Sequence, residues 1–219
     1  MKKIRPRFNT QPAPRLESRS LAVQRGERLL FRNLSVTLEA GQAVFVAGPN
    51  GTGKTTLLRT LCGLSLPAEG HVQWCGRNIA ELGEEFRAQV LYVGHRSGNK
   101  GELSCDENLQ VNIGLAGRQA RREERCAALA EVGLRGLEHL PARYLSQGQQ
   151  RRLSLARLML TRATLWVLDE PFNALDAQAM GWLTARLENH LAEGGMAVFT
   201  SHYEVRLGGA LSRLDLGAA

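Results

Sequence analysis

Two segments of this sequence have residue types and spacing suited to phosphate chemistry. Gly48-Pro49-Asn50-Gly51-Thr52-Gly53-Lys54-Thr55, followed by Thr56, fits the spacing G-x-x-x-x-G-K-[ST]. Glycines there let backbone N–H groups turn inward around phosphate oxygens, and a following helix N-terminus adds its dipole. Lys54 supplies a point charge for the β- and γ-phosphates. Thr55 offers a hydroxyl oxygen to Mg²⁺, a hard cation that prefers oxygen ligands. The second segment is Leu165-Trp166-Val167-Leu168-Asp169-Glu170. Its apolar run reads as a buried strand that delivers two carboxylates at its C-terminal end, where ligands sit in α/β sheets. Asp169 is expected to hold Mg²⁺ through water, and Glu170 to polarise an attacking water. Between the two lies Leu145-Ser146-Gln147-Gly148-Gln149-Gln150. Ser146 there can cap a helix running from Arg151 to Leu160, and Gly148 lets a phosphate approach the backbone.

Positioning these groups requires a sheet with short connections. Gln42–Ala47 reads as a strand feeding the glycine loop, and about 55–61 as the helix after it, closed by Gly63. Leu34, Val36 and Leu38 alternate with Ser35, Thr37 and Glu39, the pattern of a half-buried strand, and Ala40-Gly41 turns the chain. Val90–Val93, Leu165–Leu168 and Ala197–Thr200 read as further strands, and Ala177–Ala192 as an amphipathic helix. From Asn108 to Thr161 the spacing is helical throughout. The expected architecture is an α/β phosphate-loop core with an antiparallel β portion at its N-terminal end and an inserted α-helical subdomain.

Composition bounds the rest. The 219 residues suit one domain with a subdomain, and 43% hydrophobic with 22% charged residues is globular. No apolar run approaches the roughly 18 residues of a membrane span. Residues 1–15, with Pro6, Pro12 and Pro14, read as a flexible leader; the basic Lys2, Lys3, Arg5 and Arg7 precede Asn9-Thr10-Gln11-Pro12 rather than the apolar stretch of a signal peptide. Any membrane role therefore comes through a partner. Four cysteines without a Cys-x-x-Cys pair read as reduced thiols. The net charge of +7 is scattered. Its one dense stretch, Arg118–Arg125, is interrupted by Glu123 and Glu124 and reads as a solvated helix face, so nucleic acid is not an expected partner.

Taken together, these motifs resemble the ATP-binding cassette (ABC) ATPases. Leu145–Gln149 is similar to the L-S-G-G-Q signature, with Gln147 in the first glycine's place. Asn173-Ala174-Leu175-Asp176 resembles the D-loop, and His202 after a strand resembles the switch histidine. The resemblance runs from about residue 18 to the end. It implies an ABC nucleotide-binding domain over 16–219, with its helical subdomain at about 96–160. It implies a homodimer of such domains that clamps each Mg·ATP between the phosphate loop of one copy and Leu145, Ser146, Gln147, Gly148 and Gln149 of the other. Glu170 is then the general base, His202 the γ-phosphate sensor and Asp176 the D-loop carboxylate. ATP and Mg²⁺, the latter at Thr55 and Asp169, are the implied cofactors.

Finer features resemble the haem exporter ATP-binding subunit of cytochrome c maturation in Gram-negative bacteria. These are His95 at the usual Q-loop glutamine, Gly98-x-Lys100, Asp106-Glu107-Asn108-Leu109, Gln149-Gln150-Arg151-Arg152 and 161–166. Arg96-Ser97 in place of Gln-Pro, and Ser201 and Tyr203 beside His202, depart from that group. The resemblance implies a peripheral ATPase on the cytoplasmic side of the bacterial inner membrane, docked on integral permease subunits and serving haem pathway proteins indirectly. The usual adenine-stacking aromatic is missing from the turn Gln24-Arg25-Gly26, where the Arg25 guanidinium is the candidate to stack on the base. Three alternatives remain: another ABC importer or exporter, a soluble ABC ATPase of DNA repair or translation, and a GTPase switch. The long coiled-coil insertion of repair types, the second cassette of translation types and the N-K-x-D motif of a GTPase do not appear in this sequence.

Overall fold

A computed structural model describes residues 13–203, 205–208 and 210–217. Residues 1–12 of the expected leader lie outside the described residues, and Arg15 already begins the first strand. Strands β1 (Arg15–Arg25) and β2 (Arg28–Glu39) form a hairpin that pairs Leu16 with Leu38 and Arg25 with Arg28. Its turn is Gly26-Glu27, with Gly26 at φ 61°, so Arg25 is the last strand residue rather than a turn residue. Val36 and Leu38 are buried while Ser35, Thr37 and Glu39 are exposed, as the alternation requires.

Strand β3 (Gln42–Ala47) runs into the glycine loop and helix α1 (Lys54–Leu61). Next come β4 (Glu69–Trp74), the short β5 (Arg77–Asn78), the single turns α2 (Ile79–Leu82) and α3 (Glu84–Arg87), and β6 (Val90–Val93). Strand β4 pairs antiparallel with β1, which completes a four-stranded sheet in the order β2-β1-β4-β5.

A helical region follows: α4 (Cys105–Leu115), α5 (Arg122–Glu131), α6 (Gln147–Leu155) and α7 (Arg157–Leu160). Its own apolar cluster includes Cys105, Leu109, Leu129, Leu134 and Leu153. The helix expected over Arg151–Leu160 differs in two ways. It begins earlier, at Gln147, because Ser146 and Gln149 cap it reciprocally. It breaks at Ala156, just after Ser154 turns its hydroxyl back onto the Arg151 carbonyl at 2.8 Å. The Arg118–Arg125 stretch is not a wholly solvated face. Arg125 is 8% exposed and grips both carboxylate oxygens of Asp106 at 2.7 and 2.9 Å, and Arg118 donates to the Leu160 carbonyl. Spacing cannot separate a solvated arginine from one that finds a carboxylate on the next helix. The pair holds the Asp106 carboxyl below the usual range, chiefly through the Arg125 hydrogen bond.

The chain then returns through β7 (Leu165–Leu168), α8 (Ala177–Ala192), β8 (Met196–Thr200) and β9 (Ala210–Asp215). These strands join β3 and β6 in a five-stranded parallel sheet ordered β6-β7-β8-β3-β9. All residues of β7 and β8 are buried, as expected for central strands covered on both faces. One face packs on α1 and the antiparallel sheet through Leu57, Leu58, Val167, Val198, Leu38 and Trp74. The other packs on Leu183, Leu187 and Leu191, which recur at helical spacing along α8. Burying each of these leucines stabilises the layer by about 1.5–3 kcal/mol. Because the strands are parallel, the C-terminal ends of β3, β6, β7 and β8 emerge at one edge.

Candidate functional site

That edge carries the phosphate-binding residues. The chain leaving β3 turns at Gly48 with φ 140°, and a Cβ there would lie 2.4 Å from the Leu216 carbonyl, so only glycine fits. Thr52 Oγ1 donates to the Pro49 carbonyl at 2.9 Å, and Lys54 Nζ donates to the Gly48 and Pro49 carbonyls at 2.6 and 3.1 Å. The ammonium is thus held over the loop whose N–H groups begin α1.

The end of β7 supplies the two carboxylates. Asp169 is 2% and Glu170 6% exposed. Thr55 Oγ1 donates to Asp169 Oδ2 at 2.8 Å, which joins the phosphate loop to this strand. The register of β7 against β8 brings Thr200 alongside. Its hydroxyl accepts the Glu170 N–H at 2.8 Å and donates to Asp169 Oδ1 at 2.9 Å. Glu170 has a left-handed backbone, φ 52°, uncommon for a residue with a side chain. Its Oε1 lies 3.3 Å from His202 Nε2, and its Oε2 is buried with no partner among the described residues. A buried carboxylate oxygen without a donor suits one that a bound water or ligand completes. Tyr92, on the neighbouring β6, has its phenol pushed up to about 12, first by burial and then by the negative charge of Asp169, so it stays neutral beside them.

Arg25, Leu30, Asn50, Gly51, Gly53, Lys54, Thr55, Thr56, His95, Asp169, Glu170 and His202 line one cleft of about 390 Å³, a volume within the range of ligand sites. Arg25, singled out only as a substitute for a missing aromatic, therefore stands at the same cleft as the phosphate loop. His95 follows β6 and Gly94 and is exposed at this cleft, with no hydrogen bond of its own among the described residues.

Leu145–Gln149 and Asp176 are not at this cleft. Ser146 and Gln147 are exposed at the start of α6, where Ser146 N donates to Gln149 Oε1 and Gln149 N to Ser146 Oγ. A Cβ on Gly148 would meet the Ala174 carbonyl at 2.6 Å, so this glycine is required by close packing of α6 on the loop before α8. Asp176 caps α8 by accepting the Ala179 N–H at 2.8 Å.

Leu30 in the cleft lining and two residues that support the Asp169–Glu170 turn carry no site assignment from the sequence. Thr200 is one; a hydroxyl ending the otherwise apolar run Met196–Phe199 was its only signal. Arg151 is the other. It is 6% exposed and donates to the carbonyls of Gly94, Asp169, Glu170 and Pro171. Nothing in the spacing of α6 marked this arginine as interior.

Comparison with known proteins bears on the family and the fold. The ABC transporter family profile matches residues 31–173. The cytochrome c biogenesis ATP-binding export protein CcmA of Nitrosomonas europaea is 48% identical over 200 residues, 90% of this chain and 94% of that protein. A putative ABC transporter ATP-binding protein from Pyrococcus furiosus superposes with a TM-score of 0.79 at 28% identity, over 92% of this chain and 97% of that one. The dimeric ABC transporter cassette MJ0796 superposes with a TM-score of 0.81 at 23% identity, over 92% and 95%, and shares the fold.

Proposed function

Because this chain belongs to the ABC transporter family, in the group of cytochrome c biogenesis ATP-binding export proteins, we propose that it hydrolyses ATP at the Lys54–Glu170 cleft to drive haem export, or release of a haem-loaded chaperone, during cytochrome c biogenesis. The observation that carries the site assignment is the carboxylate pair at the end of β7. Asp169 accepts from the hydroxyls of Thr55 and Thr200, while Glu170 keeps a buried oxygen that has no partner among the described residues, beside the phosphate loop. Glu170 takes the proton of a water attacking the γ-phosphorus as the bond to ADP breaks. Lys54 and the loop N–H groups hold the charge on the phosphate oxygens, and His202, beside Glu170, orients the γ-phosphate.

The donor set fits Mg²⁺. Thr55 Oγ1 and the Asp169 carboxylate are hard oxygens 2.8 Å apart, and they are the residues to hold the ion. When bound, Mg²⁺ neutralises charge on the β- and γ-phosphates. His95 offers nitrogen, which this ion disfavours, so we assign His95 to contact through water or to reporting nucleotide state to a partner.

The exposed start of α6, away from the chain's own cleft, supports a head-to-tail homodimer in which Ser146–Gln149 face the partner's nucleotide. Among the described residues no helix is long and apolar enough to cross a membrane. Integral permease subunits are the proposed docking partners, with this chain peripheral on the cytoplasmic side of the bacterial inner membrane. The test is Glu170→Gln. This variant is expected to bind ATP, hydrolyse it about 100-fold more slowly or worse, and run as an ATP-dependent dimer in size-exclusion chromatography. Undiminished hydrolysis would remove Glu170 as the base, and a monomer at saturating ATP would remove the sandwich.

A further inference from the structure

Arg151 lies one turn into α6, the helix capped by Ser146. Its guanidinium is buried and touches no carboxylate among the described residues. Burial pulls its pKa down, and the through-space charges of Asp169 and Glu170 oppose that shift. Nη1 donates to the Gly94 carbonyl at 2.8 Å, Nη2 to those of Asp169 and Glu170 at 2.8 and 2.7 Å, and Nε to that of Pro171 at 3.3 Å. A buried cation is expensive to keep, and an apolar side chain of similar size would pack there at less cost. A planar fork, unlike an ammonium, can fix several carbonyls in one geometry.

Three of those carbonyls belong to consecutive residues, 169 to 171, and the middle one is Glu170 with its left-handed φ of 52°. Such a backbone persists only where its surroundings over-determine it. Thr200 holds the turn from its N–H side and Arg151 holds it from its carbonyl side. The fourth carbonyl, Gly94, directly precedes His95 in the same cleft.

We propose that Arg151 is the positioning residue that sets the geometry of Glu170 from the helix carrying Ser146–Gln149, so that engagement of that helix by the opposing nucleotide is transmitted to the catalytic carboxylate of the same subunit. The inference rests on Glu170 being the general base. Asn99 provides an internal contrast. Its Nδ2 donates to the Gln150 carbonyl at 2.8 Å, so it also ties the loop after β6 to α6, but it does not reach the 169–171 turn.

The experiment compares Arg151→Lys, Arg151→Met, Asn99→Ala and Glu170→Gln in the full chain. It measures steady-state ATPase activity, equilibrium ATP binding and melting temperature for each. Arg151→Lys is expected to lower kcat by about 10- to 100-fold, the scale of an ångström-level misplacement of a catalytic group. Its ATP affinity and KM should stay within about threefold, because the phosphate loop is untouched. Arg151→Met should lose at least as much turnover, and Asn99→Ala far less than either. Adding Arg151→Lys to Glu170→Gln should leave the ATP-dependent dimer intact. Wild-type kcat in Arg151→Lys overturns the inference, as does a loss matched by Asn99→Ala, which would place the effect in the loop. Collapse of melting temperature and ATP affinity together in both Arg151 variants would make the residue structural and also overturn it. If Glu170→Gln itself retains wild-type turnover, it is the assignment of the base that fails.

Discussion

The phosphate loop and the catalytic turn lie side by side, yet they are built in opposite ways. The loop holds itself: Lys54 and Thr52 bond carbonyls three to six residues away, and α1 starts directly behind them. The turn at Asp169–Pro171 is held by groups from across the chain. Thr55 is 114 residues away, Thr200 reaches it from the next strand, and Arg151 comes from a helix before the strand begins. A locally held loop can be ready to bind phosphate whatever the rest of the molecule does. A turn held from three sides is correct only when the strands, the phosphate loop and α6 are all in place, which is useful where hydrolysis must wait for assembly.

Breaking the loop should have the largest effect on turnover. Lys54→Ala is expected to reduce ATP hydrolysis by about 100-fold or more, because the γ-phosphate loses its nearest cation; steady-state phosphate release measures this. Because Thr52 and Thr55 keep their own hydrogen bonds, the melting temperature should change little.

The catalytic turn should respond differently. Thr200→Val leaves the buried Glu170 N–H without an acceptor and removes a donor to Asp169, a change expected to destabilise the fold by about 1–3 kcal/mol. Turnover should fall by about tenfold through loss of turn geometry, while Thr200→Ser, which keeps the hydroxyl, should recover most of both. Calorimetry and ATPase assays on the pair would separate the two. If Thr200→Val melts and turns over like wild type, the turn does not depend on its remote supports.

The smallest effect on nucleotide handling is expected at His95, which lies at the cleft without a hydrogen bond among the described residues. His95→Ala should leave ATP affinity within about twofold, the scale of an exposed substitution, yet lower the yield of mature cytochrome c in cells by uncoupling hydrolysis from the partner. A large loss of affinity would make His95 a nucleotide ligand, and a normal yield would make it a bystander.

The same division explains what was legible beforehand. The glycine loop, the boundaries of β3, β6 and β7, the Ser146 cap and the helix over Ala177–Ala192 all follow from short-range rules: a Gly-Lys-Thr spacing, a continuous apolar run, a reciprocal cap, leucines at helical intervals. Where those rules misled, a distant partner was responsible. Arg125 reads as solvated until Asp106 is seen facing it, and the hairpin turn moves one residue because the pairing of Arg25 with Arg28 extends β1. Strand β1 itself carries scattered polar residues and an irregular register against β2, so no clean alternation marks its span.

From the sequence alone came the phosphate loop, the order of the carboxylate and signature elements, and the α/β class with a helical insertion. These depend on backbone torsions and side-chain periodicity within a few residues, where identity dictates conformation. Only the tertiary structure decided that Thr200 and Arg151 clasp Glu170, that Arg25 shares a cleft with Lys54, and that Ser146–Gln149 lie outside it. Those facts depend on strand order and register, β7 beside β8 and β3 beyond, and on where α6 crosses the end of β7. The physical reason is that a buried hydroxyl or guanidinium takes whichever carbonyl or carboxylate packing brings within about 3 Å, and no local pattern encodes that neighbour.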